Sequence, residues 1–287
     1  MSGAAEIAHP CPLCGAGRDR ELYRHRGRIV RCLGCGLVRR DPIPPAVSLL
    51  HVYRSADYFR LRTAGPIGYG DYYADAPVYR PYFRRKLRLL SRYAAPPGDL
   101  LEVGAAAGYA LEAARDLGWR ARGLELSPDA VTFARERLGV DAAVGGIDDL
   151  EDESRWDVVA AFQTIEHLPD VRAALRRARR ALRPGGVLAL TTPDHGSFVR
   201  RAMRRFWISY RPEHLLYFDR RRLARLLSEE GFRVELVSGD DPLLVPLARV
   251  VERAAHYYAG KRLDARLMSW ARVPLWLGDL QAIARRT

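Results

Sequence analysis

The run Asp99-Leu-Leu-Glu-Val-Gly-Ala-Ala-Ala-Gly-Tyr109 constrains the fold more than any other stretch of this 287-residue chain. Leu100 to Val103 read as a buried strand, Gly104 to Gly108 as a tight loop, and Tyr109 to Leu117 as the start of a helix. Small residues in such a loop let backbone approach a ligand, and the helix N-terminus presents free N–H groups to polar ligand atoms.

The same pattern then repeats. Strands are predicted at 100–103, 120–125, 140–144, 156–162, 186–192 and 232–238, with helices at 107–117, 128–138, 170–182 and 220–230. Ser127-Pro128, Asp170 and Asp219 are placed to start helices, and Gly118, Gly139 and Gly231 to end them. Alternation of this kind argues an α/β fold, a parallel, doubly wound sheet with helices on both faces. The last stretch, Leu277 to Ala284, alternates like a strand and is expected beside 232–238. Residues 242–275 then form an insertion, read as two helices near 243–258 and 262–272 that cover the site, meet a second copy or touch a membrane surface.

All four cysteines fall in the first 35 residues, as Cys11-x2-Cys14 and Cys32-x2-Cys35 separated by seventeen residues. This is the spacing of a four-thiolate zinc site with no open position, and hence a structural one. Residues 1–45 are read as a zinc-ribbon-like module with a hairpin between its cysteine pairs, closed by Asp41-Pro-Ile-Pro-Pro45. Residues 46–98 carry a cluster of aromatics and then a helical stripe over Val78 to Tyr93. The aromatics either wrap the main domain or form a lid over a ligand, with Tyr69 and Tyr72 as the expected contacts. Residues 99–287 form the main domain.

The net charge of +13 invites a nucleic-acid partner, but only Lys86 and Lys261 of the 47 basic residues are lysines. That skew reads as arginine-rich coding rather than a phosphate-binding surface, so nucleic acid is discounted. Met1 to Pro10 lack the pattern of a signal peptide and no apolar run reaches membrane-spanning length, so the expected location is the cytoplasm.

Ligands of such sheets sit beyond the carboxyl ends of the strands. Those ends carry Glu102, Glu125, Gly145-Gly-Ile147-Asp148, Gln163-Thr-Ile-Glu166-His167 and Pro193-Asp-His195. Glu125 stands about twenty residues after the loop, where a carboxylate reaches both hydroxyls of a ribose. The phosphate-type G-x-G-x-x-G is absent, so no pyrophosphate is expected.

Taken in order, Cys35-Gly-Leu, Leu101-Glu-Val-Gly104, Gly123-Leu-Glu125, Glu166-His-Leu168, Leu182-Arg-Pro-Gly-Gly186, Glu213-His-Leu215 and Gly231-Phe232 resemble the class I S-adenosylmethionine-dependent methyltransferases. The chain is most similar to the branch with an N-terminal cysteine zinc module, which includes deoxysugar C-methyltransferases. The resemblance implies a Rossmann-like seven-stranded sheet, S-adenosylmethionine as cofactor and a structural Zn2+ on Cys11, Cys14, Cys32 and Cys35. It places Gly104 and Gly108 around the methionine moiety, with Glu102 supporting that loop or the amino group. Glu125 and the adjacent Leu126 then face the ribose, Ile147 and Asp148 flank the adenine, and Gln163 lies near the sulfonium. The family usually has glycine where this chain has Ala106, and alanine tolerates positive φ poorly, so an altered or weaker cofactor fit is expected there.

Methyl transfer requires alignment and, for a hydroxyl or acidic carbon, proton removal, which suits histidine. In the deoxysugar relatives a Glu-His pair after the fifth strand lies at the acceptor. The resemblance therefore makes His214 the expected base, His167 the second choice, and Tyr210 and Glu213 acceptor contacts. Arg200, Arg201, Arg204 and Arg205 form either a solvated turn or a clamp for a phosphorylated or nucleotide-linked acceptor. The expected function is methylation of a sugar, glycan precursor or natural product. The rivals are an RNA methyltransferase docking through its zinc module and a non-catalytic cofactor-binding protein.

Overall fold

The structure, a computed structural model, describes residues 10–24, 27–55, 58–59, 72–248, 250–252, 255 and 271–287. The hairpin expected between the cysteine pairs is present. Strand β1 (Asp19–Arg24) pairs antiparallel with β2 (Arg28–Cys32), and β3 (Val38–Arg40) pairs with β2. Two helices follow, α1 (Ala46–Arg54) and α2 (Ala76–Leu90); α2 buries Val78, Tyr82, Phe83, Leu87 and Leu90, much of the apolar stripe read from the sequence.

From Asp99 the chain alternates through β4 (Asp99–Val103), α3 (Tyr109–Asp116), β5 (Arg120–Glu125), α4 (Pro128–Leu138), β6 (Asp141–Val144), β7 (Trp156–Phe162), α5 (Val171–Ala181) and β8 (Leu182–Pro193). It continues with α6 (Phe198–Met203), β9 (Leu216–Tyr217), α7 (Arg220–Glu229), β10 (Phe232–Gly239), β11 (Leu243–Pro246), β12 (Arg272–Leu275) and β13 (Asp279–Arg286). Ser127, Asp170 and Asp219 cap α4, α5 and α7 by accepting from Ala130, Ala173 and Arg222 N–H groups. Gly139 ends α4 in the left-handed conformation at φ 62°.

The seven-stranded sheet has the order β10-β13-β8-β7-β4-β5-β6. Residues along each central strand alternate between two cores. Leu101, Val159, Leu188 and Leu190 join the core that also contains Leu175 of α5 and Leu223 of α7; Leu100, Val158 and Ala189 join the one that contains Leu87 of α2 and Leu111 of α3. Burial on both faces is the reason these strands read as continuous apolar runs.

The sheet is mixed, not wholly parallel. Strand β13 runs antiparallel to both β8 and β10. The insertion leaves after Gly239 and returns at Asp279, opposite Pro193, so the chain re-enters from the carboxyl edge and must run downwards. The insertion also departs from the expected pair of helices: 243–246 and 272–275 form a two-stranded antiparallel ladder. Helical backbone begins only at 247, and most of the second expected helix lies outside the described residues. Among the described residues no helix is long and apolar enough to cross a membrane.

The cysteine module shares a sheet with the main domain, because β3 pairs with β9. Arg39, fully buried, bonds Asp19 at 2.6 Å and Asp41 at 2.7 Å, which satisfies a charge that would otherwise be costly inside. The Arg40 N–H donates to the Leu215 carbonyl at 2.8 Å and its guanidinium to the Arg211 carbonyl at 2.9 Å. These bonds fix the segment that carries His214.

Candidate active site

The sheet order reverses at β4, with β5 and β6 on one side and β7 and β8 on the other. The helices that follow β4 and β7 therefore pack on opposite faces of the sheet, α3 in one core and α5 in the other, and leave a crevice at the strand ends. Gly104 takes φ 78° there, and a Cβ on it would stand 2.5 Å from Thr164 Oγ1. Only glycine lets these two loops approach this closely. Gly108, at φ 83°, caps α3, and Gln163 begins the β7 loop at φ 52°.

Two carboxylates support the crevice. The Glu125 side chain accepts from the N–H groups of Ala106 at 2.8 Å and Ser127 at 2.9 Å. Burial pushes its pKa up, against the pull of those backbone bonds. Glu102 is pushed well above the usual carboxylate range by burial and by the nearby charge of Glu125. Glu102 Oε2 and Gln163 Nε2 are buried without a hydrogen-bond partner. These orphaned atoms, with the glycine-lined loop, fit a ligand that carries a positive charge and polar groups, such as the ammonium and sulfonium of S-adenosylmethionine.

Ala106 adopts the positive φ expected to be strained, at 47°. Ile147 is buried, and half-buried Leu126 packs beside Gly146, 3.2 Å from where a Cβ would stand. The Asp148 side chain is 82% exposed and pairs with Arg177 of α5 at 2.8 Å. Tyr72 is buried and stacks on Tyr79 at 4.3 Å, within 5.8 Å of the Tyr109 ring. The Tyr109 hydroxyl donates to the Tyr73 carbonyl at 2.9 Å, tying this segment to the start of α3. Tyr69 lies outside the described residues.

On the other side of the crevice three polar side chains converge. His167 and His214 meet edge-on with ring centroids 4.8 Å apart, and Glu166 Oε1 is 4.0 Å from His167 Nε2. His167 Nδ1 lies 3.0 Å from the Glu213 carbonyl and 2.8 Å from the Tyr53 hydroxyl. Glu213 itself is buried, with its carboxylate 3.3 Å from the Arg211 guanidinium. Burial lowers His167 to about 4 and His214 well below its ordinary value, so both imidazoles are neutral at pH 7. Burial also raises Glu166 to about 8.

Tyr210 does not join this cluster. Its hydroxyl lies 3.0 Å from His195 Nε2, and its ring packs with Trp207, Tyr217 and Tyr23 where the N-terminal hairpin docks. The residue is 1% exposed and packs among these rings. The Arg200 guanidinium donates to the His195 carbonyl at 2.7 Å, and Arg205 covers the Phe206 ring; Arg201, Arg204 and Arg205 are not converged on the crevice by any ion pair among the described residues.

The four cysteines are free thiols brought to one point, with Cys11 and Cys35 Sγ 3.6 Å apart and Cys14 and Cys32 Sγ 3.5 Å apart. Tetrahedral thiolates on a zinc ion stand about 3.8 Å from one another, so this set fits the metal. The Gly34 N–H points at Cys32 Sγ at 3.3 Å, the backbone support such a sulfur requires.

Three residues had no assigned role in the sequence reading, although Glu166 and Thr164 stood in the strand-end segment it singled out. Thr164 bridges the β4 and β7 loops through the Val103 and Phe162 carbonyls, Tyr53 holds His167, and Glu166 completes the histidine cluster.

The profile of the family described as "Methyltransferase domain" matches residues 76–237. A Mycolicibacterium smegmatis protein named as a probable S-adenosylmethionine-dependent methyltransferase is 33% identical over 139 residues, 48% of this chain and 52% of that protein. A ubiquinone biosynthesis O-methyltransferase of Xanthomonas campestris pv. campestris is 34% identical over 129 residues, 42% of this chain and 54% of the relative. The chain thus spans about half the length of these curated relatives. A SAM-dependent methyltransferase structure from Thermotoga maritima covers 83% of this chain and 100% of its own at 16% identity and a TM-score of 0.55. The 1,6-didemethyltoxoflavin-N1-methyltransferase of Burkholderia thailandensis, solved with S-adenosylhomocysteine, covers 90% and 98% at 18% identity and 0.53. Both share the fold.

Proposed function

The chain belongs to the methyltransferase-domain family, and from that premise we propose that it transfers a methyl group from S-adenosylmethionine to a small-molecule acceptor such as a sugar, glycan precursor or natural product. One observation carries this reading. The crevice at the sheet reversal is lined on one side by buried carboxylates, Glu102 and Glu125, around a glycine loop, and on the other by two neutral imidazoles. The first side suits a cationic nucleoside; the second suits an acceptor that loses a proton.

In this reading Glu125 holds the ribose while keeping Ala106 and Ser127 in place. Glu102 and Gln163 supply the buried polar atoms that the ligand satisfies. S-adenosylmethionine brings the electrophilic methyl group, and the protein aligns the acceptor for in-line displacement. The acceptor proton leaves at the cluster of Glu166, His167 and His214. An acceptor hydroxyl is favoured by the likeness to the Xanthomonas relative, an O-methyltransferase. The four cysteines hold a structural zinc that keeps the module, and through β3 the His214 segment, in position.

Calorimetry with S-adenosylmethionine tests the reading at its base. Wild type should bind, and Glu125→Gln should bind about 10- to 100-fold more weakly, as expected for loss of a charged hydrogen-bond acceptor. Absence of binding at millimolar cofactor would overturn it. With methyl-labelled cofactor and an acceptor panel, His214→Ala should lose turnover while keeping cofactor affinity.

A further inference from the structure

We propose that Glu166, His167 and His214 form a second metal site, separate from the cysteines, which takes a divalent first-row transition-metal cation through two imidazole nitrogens and one carboxylate oxygen. The ligand atoms of the three residues all lie within 4.8 Å of one another. Metal bonds of about 2.1 Å place neighbouring ligands roughly 3 to 4 Å apart, so the longest separation has to close by about 1 Å, a small side-chain rotation.

The strongest indication is what these groups do not do. Glu166 Oε1 and His214 Nδ1 are buried and have no hydrogen-bond partner, although a carboxylate and imidazoles so close together could have bonded to one another. Buried polar atoms are normally satisfied, and two orphans in one cluster of possible ligand residues indicate a missing group.

The outer contacts also orient the ligands. Glu166 Oε2 accepts from the Thr192 hydroxyl at 2.9 Å, which leaves Oε1 turned inward. His167 Nδ1 lies 3.0 Å from the Glu213 carbonyl and 2.8 Å from the Tyr53 hydroxyl; in the tautomer whose Nδ1–H donates to the carbonyl, Nε2 keeps its lone pair on the Glu166 side. A ligating histidine whose other nitrogen donates to a carbonyl is the usual outer-shell arrangement of metal sites. Two nitrogens and one oxygen match Mn2+, Fe2+, Co2+, Ni2+ or Zn2+ rather than ions that need all oxygen or all sulfur ligands.

Three protein ligands leave coordination positions open. If the methyltransferase reading holds, an acceptor hydroxyl can occupy one of them and lose its proton more readily beside the cation, with His214 serving as ligand and not as free base. Cation binding itself does not depend on that reading.

The test is titration with Mn2+ of protein carrying one zinc per chain, the amount the four cysteines hold, following free Mn2+ by electron paramagnetic resonance. Mn2+ is a poor match for four thiolates, so the cysteine cluster does not compete. Wild type should bind about one Mn2+ per chain, and Glu166→Gln, which keeps an oxygen for Thr192, should weaken binding about 10-fold or more. His214→Gln should do the same, with melting temperatures measured without Mn2+ as the folding control. No bound Mn2+ in wild type overturns the site, as does unchanged binding in both variants. Mn2+ binding without cofactor affinity would support the site and reject the transferase; methyl transfer by wild type that binds no Mn2+ would do the reverse.

Discussion

The backbone N–H of Ala106 donates to the Glu125 carboxylate at 2.8 Å, so the acid that ends β5 holds the left-handed turn that follows β4. An alanine at φ 47° costs about 1 kcal/mol relative to relaxed backbone, and this bond offsets the cost. Ala106→Gly should therefore raise stability by up to about 1 kcal/mol, reduced by the greater freedom of glycine in the unfolded chain, with cofactor affinity equal or tighter. Ala106→Val should lower both. Thermal melts and calorimetry decide it, and weaker binding by the glycine variant would show that the strain serves the site.

Glu102 predicts a pH dependence of cofactor binding. Burial and the charge of Glu125 keep its proton on, and a cationic ligand would favour the ionised form. Binding should then release a proton, and affinity should rise with pH. Calorimetry in buffers of different ionisation enthalpy measures the release. Glu102→Gln should flatten the pH profile; a profile that persists in this variant assigns the proton elsewhere.

His195 predicts acid sensitivity of the fold. Burial, with Arg200, Arg31 and Arg222 nearby, lowers it to about 3, below the ordinary 6.5. Between those values the unfolded chain binds the proton and the native state does not, so stability is full above about pH 6.5 and falls as pH drops towards 3. The loss should reach about 2 kcal/mol near pH 5. His195→Gln should show a shallower fall in melting temperature between about pH 7 and about pH 5. Parallel curves for the two proteins would remove His195 as the source.

Zinc removal should act at a distance. The cysteine module is hydrogen-bonded to β9 through β3, and Arg40 holds the Leu215 and Arg211 carbonyls on either side of His214. Metal analysis should find about one zinc per chain, and Cys14→Ser should lower zinc content and melting temperature and abolish turnover together. If turnover survives complete zinc loss, the module does not position His214.

Much of the fold was legible because its signals are local. Apolar runs and cap residues placed the strands and helices of the main domain to within a few residues, and Ser127, Asp170 and Asp219 cap helices as read. The insertion was less legible: Leu243 to Pro246 is apolar enough for a helix or a strand, and its pairing with 272–275 across nearly thirty residues has no sequence period. The site divides the same way. Glu102 and Glu125 belong to strand ends, but Tyr210 and Asp148, also expected at the site, turn their side chains to His195 and Arg177.

The sequence by itself determined the α/β alternation, the glycine-lined turn after β4 and the pairing of cysteines, because backbone preference, hydrophobic period and ligand spacing act over a few residues. Only the tertiary structure decided the direction of β13, the docking of the cysteine module on β9, and the meeting of His167 with His214. Those depend on which edges and loops the folded sheet brings together, and contacts between residues far apart in sequence leave no trace in the local pattern.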